Sequence, residues 1–216
     1  MDTLLFGHSF TVSLEHYFKG LYDKSQQSIP FPIFVSRHLK VAGLTNGVHF
    51  AGIRGGKILE NMHLPVEHLL SIKPTIVLME AGTNDAATLD FSAVQICDQI
   101  MAHARALRDL YKVKQVIICG LISRAEGIEM TEEQFSMRAR DINTILWVSV
   151  SLEKNIQFHY HPGFYTLGAN GQKASAWDFT RDGIHPNTKQ ARHKYLSSMT
   201  NAIHKATRAV RKQPHT

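Results

Sequence analysis

The sequence predicts an α/β domain built on a parallel β-sheet with helices on both faces. Short apolar runs alternate along the chain with longer segments whose apolar residues recur at helical spacing, and three of those runs end in loops rich in small residues. The runs are continuous in apolar residues, which suits strands covered on both sides. Right-handed crossovers then connect the strands.

The first run, Thr3 to Phe6, ends at Gly7 and leads into a helical pattern of Phe10, Leu14, Tyr17, Phe18 and Leu21. Val48 to Ala51 is a second strand, entering Gly52-Ile53-Arg54-Gly55-Gly56. Thr75 to Met79 is a third, entering Ala81-Gly82-Thr83-Asn84-Asp85. Val94, Cys97, Met101, Ala104 and Leu107 make the apolar stripe of a helix that precedes the strand Val116 to Leu121. Thr131-Glu132-Glu133-Gln134 reads as a capping box, so a helix starts there and runs to about residue 150. Ile156 to Tyr160 is the fifth strand. A loop from Pro162 to Pro186 leads to a last helix with Leu196, Met199, Ile203, Ala206 and Val210 on one face.

A chain of 216 residues buries roughly 70% of its surface on folding, which is enough core to stand without disulfides. We expect one domain over residues 1–204, with 205–216 as a basic helix end and tail. Cys97 and Cys119 lie in apolar segments and read as buried, reduced thiols. No apolar stretch approaches the roughly 20 residues of a membrane span. The N-terminus has neither the basic start nor the apolar region of a signal peptide, so an intracellular location, cytoplasmic or nuclear, is expected. The net charge of +6 resides in the last helix, because residues 188–216 carry seven Lys or Arg and no Asp or Glu.

Sites in parallel sheets lie beyond the carboxyl ends of the strands, which selects Gly7-His8-Ser9, Gly52 to Gly56 and Gly82 to Asp85. A phosphate loop is excluded, since Ala51 and Ile58 occupy the positions where it needs Gly and Ser or Thr. The dinucleotide fingerprint and the Gly-x-Ser-x-Gly elbow are absent too. Ser9, between a strand and a helix, suits either a helix cap or a nucleophile. Asp182-Gly183-Ile184-His185 places a carboxylate and an imidazole on one turn, where Asp182 can orient His185 as general base for Ser9. The Ser9 and Gly55 N–H groups and the Asn84 amide are the natural donors to an oxyanion. His159 and His161 share one face of a strand but have no evident third ligand, so neither a metal nor a cofactor is expected.

These four stretches together resemble the blocks of the SGNH, or GDSL-like, hydrolases, in the same order and over nearly the whole chain. The resemblance implies a flavodoxin-like, three-layer α/β/α sandwich with a five-stranded parallel sheet. It also implies ester hydrolysis through an acyl-serine, with Ser9, His185 and Asp182 as the triad and Ser9, Gly55 and Asn84 as the oxyanion hole. The sequence departs from the family where His8 replaces the usual Asp and Gly56-Lys57 replaces a frequent Asp-Thr. The function expected is a serine esterase for small, acetyl-type esters. The alternative is a nucleic-acid-binding SGNH-like module, resembling that of Oskar or those associated with retroelements. Lys194, Lys205, Arg208 and Lys212 are the candidate contacts, opposite the apolar stripe of the last helix, for weak, sequence-independent binding.

Overall fold

The computed structural model describes residues 2–8, 10, 11, 48–60, 73–165 and 175–212. Strands β1 (Thr3–Gly7), β2 (Val48–Gly52), β3 (Ile76–Glu80), β4 (Gln115–Cys119) and β5 (Ile156–His159) form one parallel sheet. Their order is β2-β1-β3-β4-β5. The chain moves outward from β1 to β2 and then crosses to β3 on the other side of β1. The strand order thus reverses at β1, the kind of position where such sheets take their ligands.

Each central strand sends alternate residues to opposite faces. Leu4, Phe6, Val77, Met79, Val116 and Ile118 join one apolar cluster. Leu5, Ile76, Leu78, Ile117 and Cys119 join the other. The first cluster is covered by α2 (Ala93–Asp109) and α3 (Glu132–Ser151), after a short α1 (Thr83–Ala86). The second is covered by α4 (Lys189–Arg211) through Ala191, Tyr195, Leu196, Met199, Ile203 and Ala206. This is the three-layer sandwich the sequence led us to expect. Full burial of each Leu, Ile or Phe is worth about 1.5–3 kcal/mol, so the two stripes dominate the stability. Both cysteines are free and buried. No helix among the described residues is long and apolar enough to cross a membrane.

The helix starts follow their local chemistry. The Thr131 hydroxyl accepts from the Gln134 N–H and the Gln134 side chain accepts from the Thr131 N–H, which completes the expected capping box of α3. Ser92 and Gln95 repeat it on α2, and Thr188 caps α4 through the Ala191 N–H at 3.1 Å. Strand ends shift by one or two residues from the apolar runs. β4 stops at Cys119, because the Asn143 side chain of α3 takes both the N–H (2.8 Å) and the carbonyl (2.9 Å) of Leu121 in place of a strand partner. β3 extends to Glu80, paired with Gly7. Most of the helix expected after strand one, including Leu14, Tyr17, Phe18 and Leu21, lies outside the described residues. α4 continues without a break through residues 205–211, so that basic stretch forms the last turns of the same helix.

Candidate active site

The rim at the ends of β1, β2 and β3 is tied together by short polar contacts. Gly7 has no room for a side chain, since a Cβ there would stand 2.7 Å from the Glu80 carbonyl oxygen. His8 follows, 2% exposed, its N–H donating to that carbonyl (3.3 Å) and its Nδ1 accepting from the Phe10 N–H at 3.4 Å. Burial pulls the His8 imidazole down to about 4, Glu80 opposing and Arg124 and His185 adding to the fall. Ser9 lies outside the described residues. Its two neighbours are both placed beside His185: His8 within electrostatic reach, and the Phe10 ring with its centroid 5.4 Å from the imidazole.

The turn after β2 puts Gly55 at φ +65°, exposed and with open space around it. Asp85 fastens this turn, its two carboxylate oxygens accepting from the N–H groups of Ile58 (2.9 Å) and Leu59 (3.1 Å). Asn84 donates through Nδ2 to the Gly56 carbonyl at 3.0 Å. The loops carrying Gly55 and Asn84 are thus joined twice. Glycine is required at position 82, where φ is +94° and a Cβ would approach the Ile100 side chain to 2.9 Å.

Asp182 and His185 meet as the Asp-x-x-His spacing suggests. Asp182 Oδ2 lies 2.9 Å from His185 Nδ1, while Oδ1 accepts from the N–H groups of Ile184 (3.0 Å) and His185 (2.8 Å). Burial alone would raise the Asp182 carboxyl, but the bonds from His185 and Ile184 outweigh it and hold the group below its ordinary value. The carboxylate oxygen fixes the imidazole tautomer with the proton on Nδ1 and leaves Nε2 as the basic nitrogen.

Arg124, in the loop after β4, is a rim residue that no motif announced. It is 8% exposed. Its Nη1 donates to Asn84 Oδ1 at 2.9 Å and its Nε to the Glu126 carbonyl at 2.6 Å. Burial lowers its guanidinium and the charge of Asp182 opposes that fall, so Arg124 stands between the Asn84 block and the Asp182 block. The one signal in the sequence is an Arg close behind an apolar run whose end must reach the same rim.

Solved structures share this fold over nearly all of their length. A GDSL-like lipase from Bacteroides thetaiotaomicron superposes with a TM-score of 0.62 at 20% identity, covering 95% of this chain and 88% of the other. A carbohydrate esterase family 3 protein from Talaromyces cellulolyticus gives 0.65 at 16% identity, over 97% and 99%. An acetyl esterase determined with an acetate ion gives 0.65 at 16%, over 97% and 100%. The chain has the SGNH-hydrolase fold. Neither a protein-family model nor a curated protein matches the sequence.

Behind this rim lies a buried polar cluster. Glu80, 4% exposed, receives the Tyr195 hydroxyl on Oε1 and stands 3.6 Å from His161 Nε2. Burial alone would raise the Glu80 carboxyl; His161, His8 and Tyr195 together bring it below the usual range, so it is ionised. The sequence paired His159 with His161, and both do turn onto Ser198, at 2.8 and 3.0 Å. The groups that could join His161 around a cation are instead Glu80 and Cys119, whose donor atoms lie within 4.8 Å of one another. Neither could be found by spacing, since both come from other strands. Burial and Glu80 push the Cys119 thiol well up, so it keeps its proton, and Tyr195 already occupies Glu80. The cluster thus holds a buried carboxylate, hydrogen-bonded by Tyr195, beneath the rim.

Proposed function

We propose that the protein is a serine esterase that cleaves small, acetyl-type esters through an acyl-serine intermediate. The observation that carries this reading is the Asp182–His185 pair, held at 2.9 Å beside the two residues that flank Ser9, on the rim that also presents Asn84. In the reaction, Ser9 Oγ attacks the ester carbon and its proton passes to His185 Nε2, while Asp182 stabilises the imidazolium. The oxyanion is received by the Ser9 and Gly55 N–H groups and by Asn84 Nδ2. Collapse breaks the bond to the alcohol, which leaves with the proton from His185. A water molecule, deprotonated by His185, then releases the acid and restores Ser9.

Two features favour His185 over the neighbouring His8 as the base. His185 has a carboxylate on Nδ1, whereas burial makes His8 a feeble base. An assembled Asp-His pair also favours catalysis over a module that only binds nucleic acid. The acetyl preference is supported by similarity in fold to the acetyl esterase and the carbohydrate esterase.

Labelling with a fluorophosphonate probe tests the nucleophile without knowledge of the natural ester. We expect labelling of the wild type and none of Ser9→Ala. Hydrolysis of p-nitrophenyl acetate should fall by about 10³-fold or more in Ser9→Ala and His185→Ala, and rates should fall from acetyl and butyryl to palmitoyl esters. Undiminished turnover in Ser9→Ala would remove Ser9 from the reaction.

A further inference from the structure

The sheet ends at β5, and its outer edge has no strand partner among the described residues. α3 lies on one face of the sheet and α4 on the other, so the two helices flank this edge as walls. Between them runs a groove of about 1060 Å³. Arg140 and Trp147 line it from α3, Tyr160 from the end of β5, and Lys194, Lys205 and Arg208 from α4. No Asp or Glu lines it among the described residues. Burial holds His159, also in the groove, down at about 4, so the positive charge comes from the four Lys and Arg side chains.

The aromatic groups are placed where a ligand can use them. Trp147 is 64% exposed and Tyr160 49%, well beyond what core packing would leave. Tyr160 is braced by Tyr165, which also lines the groove, with ring centroids 3.9 Å apart and planes 11° from parallel. Stacking on Tyr165 restrains the Tyr160 ring. Arg140 and Trp147 are two turns apart on α3, and Lys194, Lys205 and Arg208 share one side of α4 over about 21 Å, the length of roughly six nucleotides at 3.4 Å per step.

We propose that this groove binds single-stranded nucleic acid, with the four cations following the phosphates and with Trp147 and Tyr160 stacking on bases. Fixed positive charge without carboxylates selects a polyanion, and exposed, braced aromatic rings select unpaired bases over a duplex or a sugar polyanion. The site differs from a tail that meets solvent, since half of it comes from α3 and β5, and it does not depend on the esterase reading.

The test is fluorescence anisotropy of the full chain with labelled twelve-nucleotide oligo(U) and oligo(dT), from low to physiological salt. Heparin serves as a competitor and thermal melting checks that variants fold. With about four phosphates neutralised, log affinity should fall against log salt with a slope near -3. Trp147→Ala should weaken binding by about tenfold with little change in slope, because a stacked base contributes without releasing counterions. Arg208→Glu should weaken binding and flatten the slope by about one or more, whereas Lys212→Glu, outside the groove, should do little. The oligo(U) and oligo(dT) arms tell RNA from DNA. Binding that ignores Trp147→Ala and yields to heparin at equal charge would overturn the proposal in favour of unspecific contact. Self-association lost in Trp147→Ala would overturn it in favour of a second copy on the β5 edge.

Discussion

Replacing Arg124 with Met separates two ways in which a buried cation can serve the proposed oxyanion hole. The first is orientation. Arg124 Nη1 holds Asn84 Oδ1 at 2.9 Å, so the Asn84 amide cannot flip end for end. Without it, the bond from Nδ2 to the Gly56 carbonyl at 3.0 Å still favours the same orientation. A neutral bond of about 0.5–1.5 kcal/mol keeps roughly 70–90% of the amide in place, so orientation alone costs less than twofold. The second is charge. Adding the 2.9 Å bond, about 2.3 Å across the amide and about 2.9 Å to a bound oxygen puts the guanidinium no more than about 8 Å from the oxyanion. At an effective dielectric constant near 20 the attraction is about 2 kcal/mol, or roughly 30-fold in rate. We therefore expect Arg124→Met to lower kcat for p-nitrophenyl acetate by about 10- to 30-fold with KM little changed. Arg124→Lys should recover much of the loss. A double-mutant cycle with Asn84→Ala decides the route, because the charge term persists without Asn84 while an orientation term vanishes. A kcat within threefold of wild type in a variant with unchanged Tm would refute the electrostatic argument. A rise in KM alone would move Arg124 to substrate binding.

The other predictions concern the two carboxylates of the rim. Asp85→Ala strips the acceptors from the Ile58 and Leu59 N–H groups; at about 1.5 kcal/mol or more for each bond, Tm should drop by about 6–12 °C. A drop below about 2 °C in calorimetry would mean that something else holds the Gly55 turn. Asp182→Asn should reduce kcat by about 10⁴-fold through loss of the imidazole tautomer, with far less effect on KM; a change confined to KM would reassign the pair. The Asp182 carboxyl is held below its ordinary value in the folded state. Its contribution to stability is therefore complete above the unfolded value near 4 and is lost as the pH falls through the lower, folded one. Wild type should lose stability relative to Asp182→Asn only in that acid window, which pH-dependent melting reads directly.

The parts of the site carried on single loops were legible in the sequence, because a turn of three or four residues fixes its own geometry. Asp182 and His185 sit on one turn, Thr131 and Gln134 close one capping box, and both needed no knowledge of the fold. The strand runs were legible for the same reason, as a strand buried on both faces shows in its own composition. Contacts between loops were not. Arg124 reaches Asn84 across 40 positions, and Asp85 reaches the Ile58 and Leu59 N–H groups from 27 and 26. Only the strand order brings them together. Strand ends escaped as well, since the Asn143 side chain that ends β4 belongs to α3. A helical wheel separated Lys194, Lys205, Arg208 and Lys212 from the apolar stripe, and all four are exposed, though Lys212 does not line the groove. It could not show that the edge strand turns that face into one wall of a groove, or that Arg140 and Trp147 form the other.

The same strand order explains why the loop after β4 matters as much as those that bear the motifs. The N–H groups of Ala125 and Glu126 both donate to the Gly183 carbonyl, at 2.7 and 3.2 Å. Gly183 sits at φ +66°, and any side chain on it would collide with Glu126. Its lack of a side chain is what lets the Asp182–His185 turn dock against this loop. One residue earlier, Arg124 grips Asn84. A single tripeptide, Arg124 to Glu126, in the loop after β4, thus ties the turn of the proposed acid-base pair to the proposed oxyanion donor. Proton transfer and charge stabilisation must act on one tetrahedral centre, and groups held within about 0.5 Å of productive geometry need this kind of shared support. Each motif supplies a chemical group, and the loop from Arg124 to Glu126 supplies the distance between them.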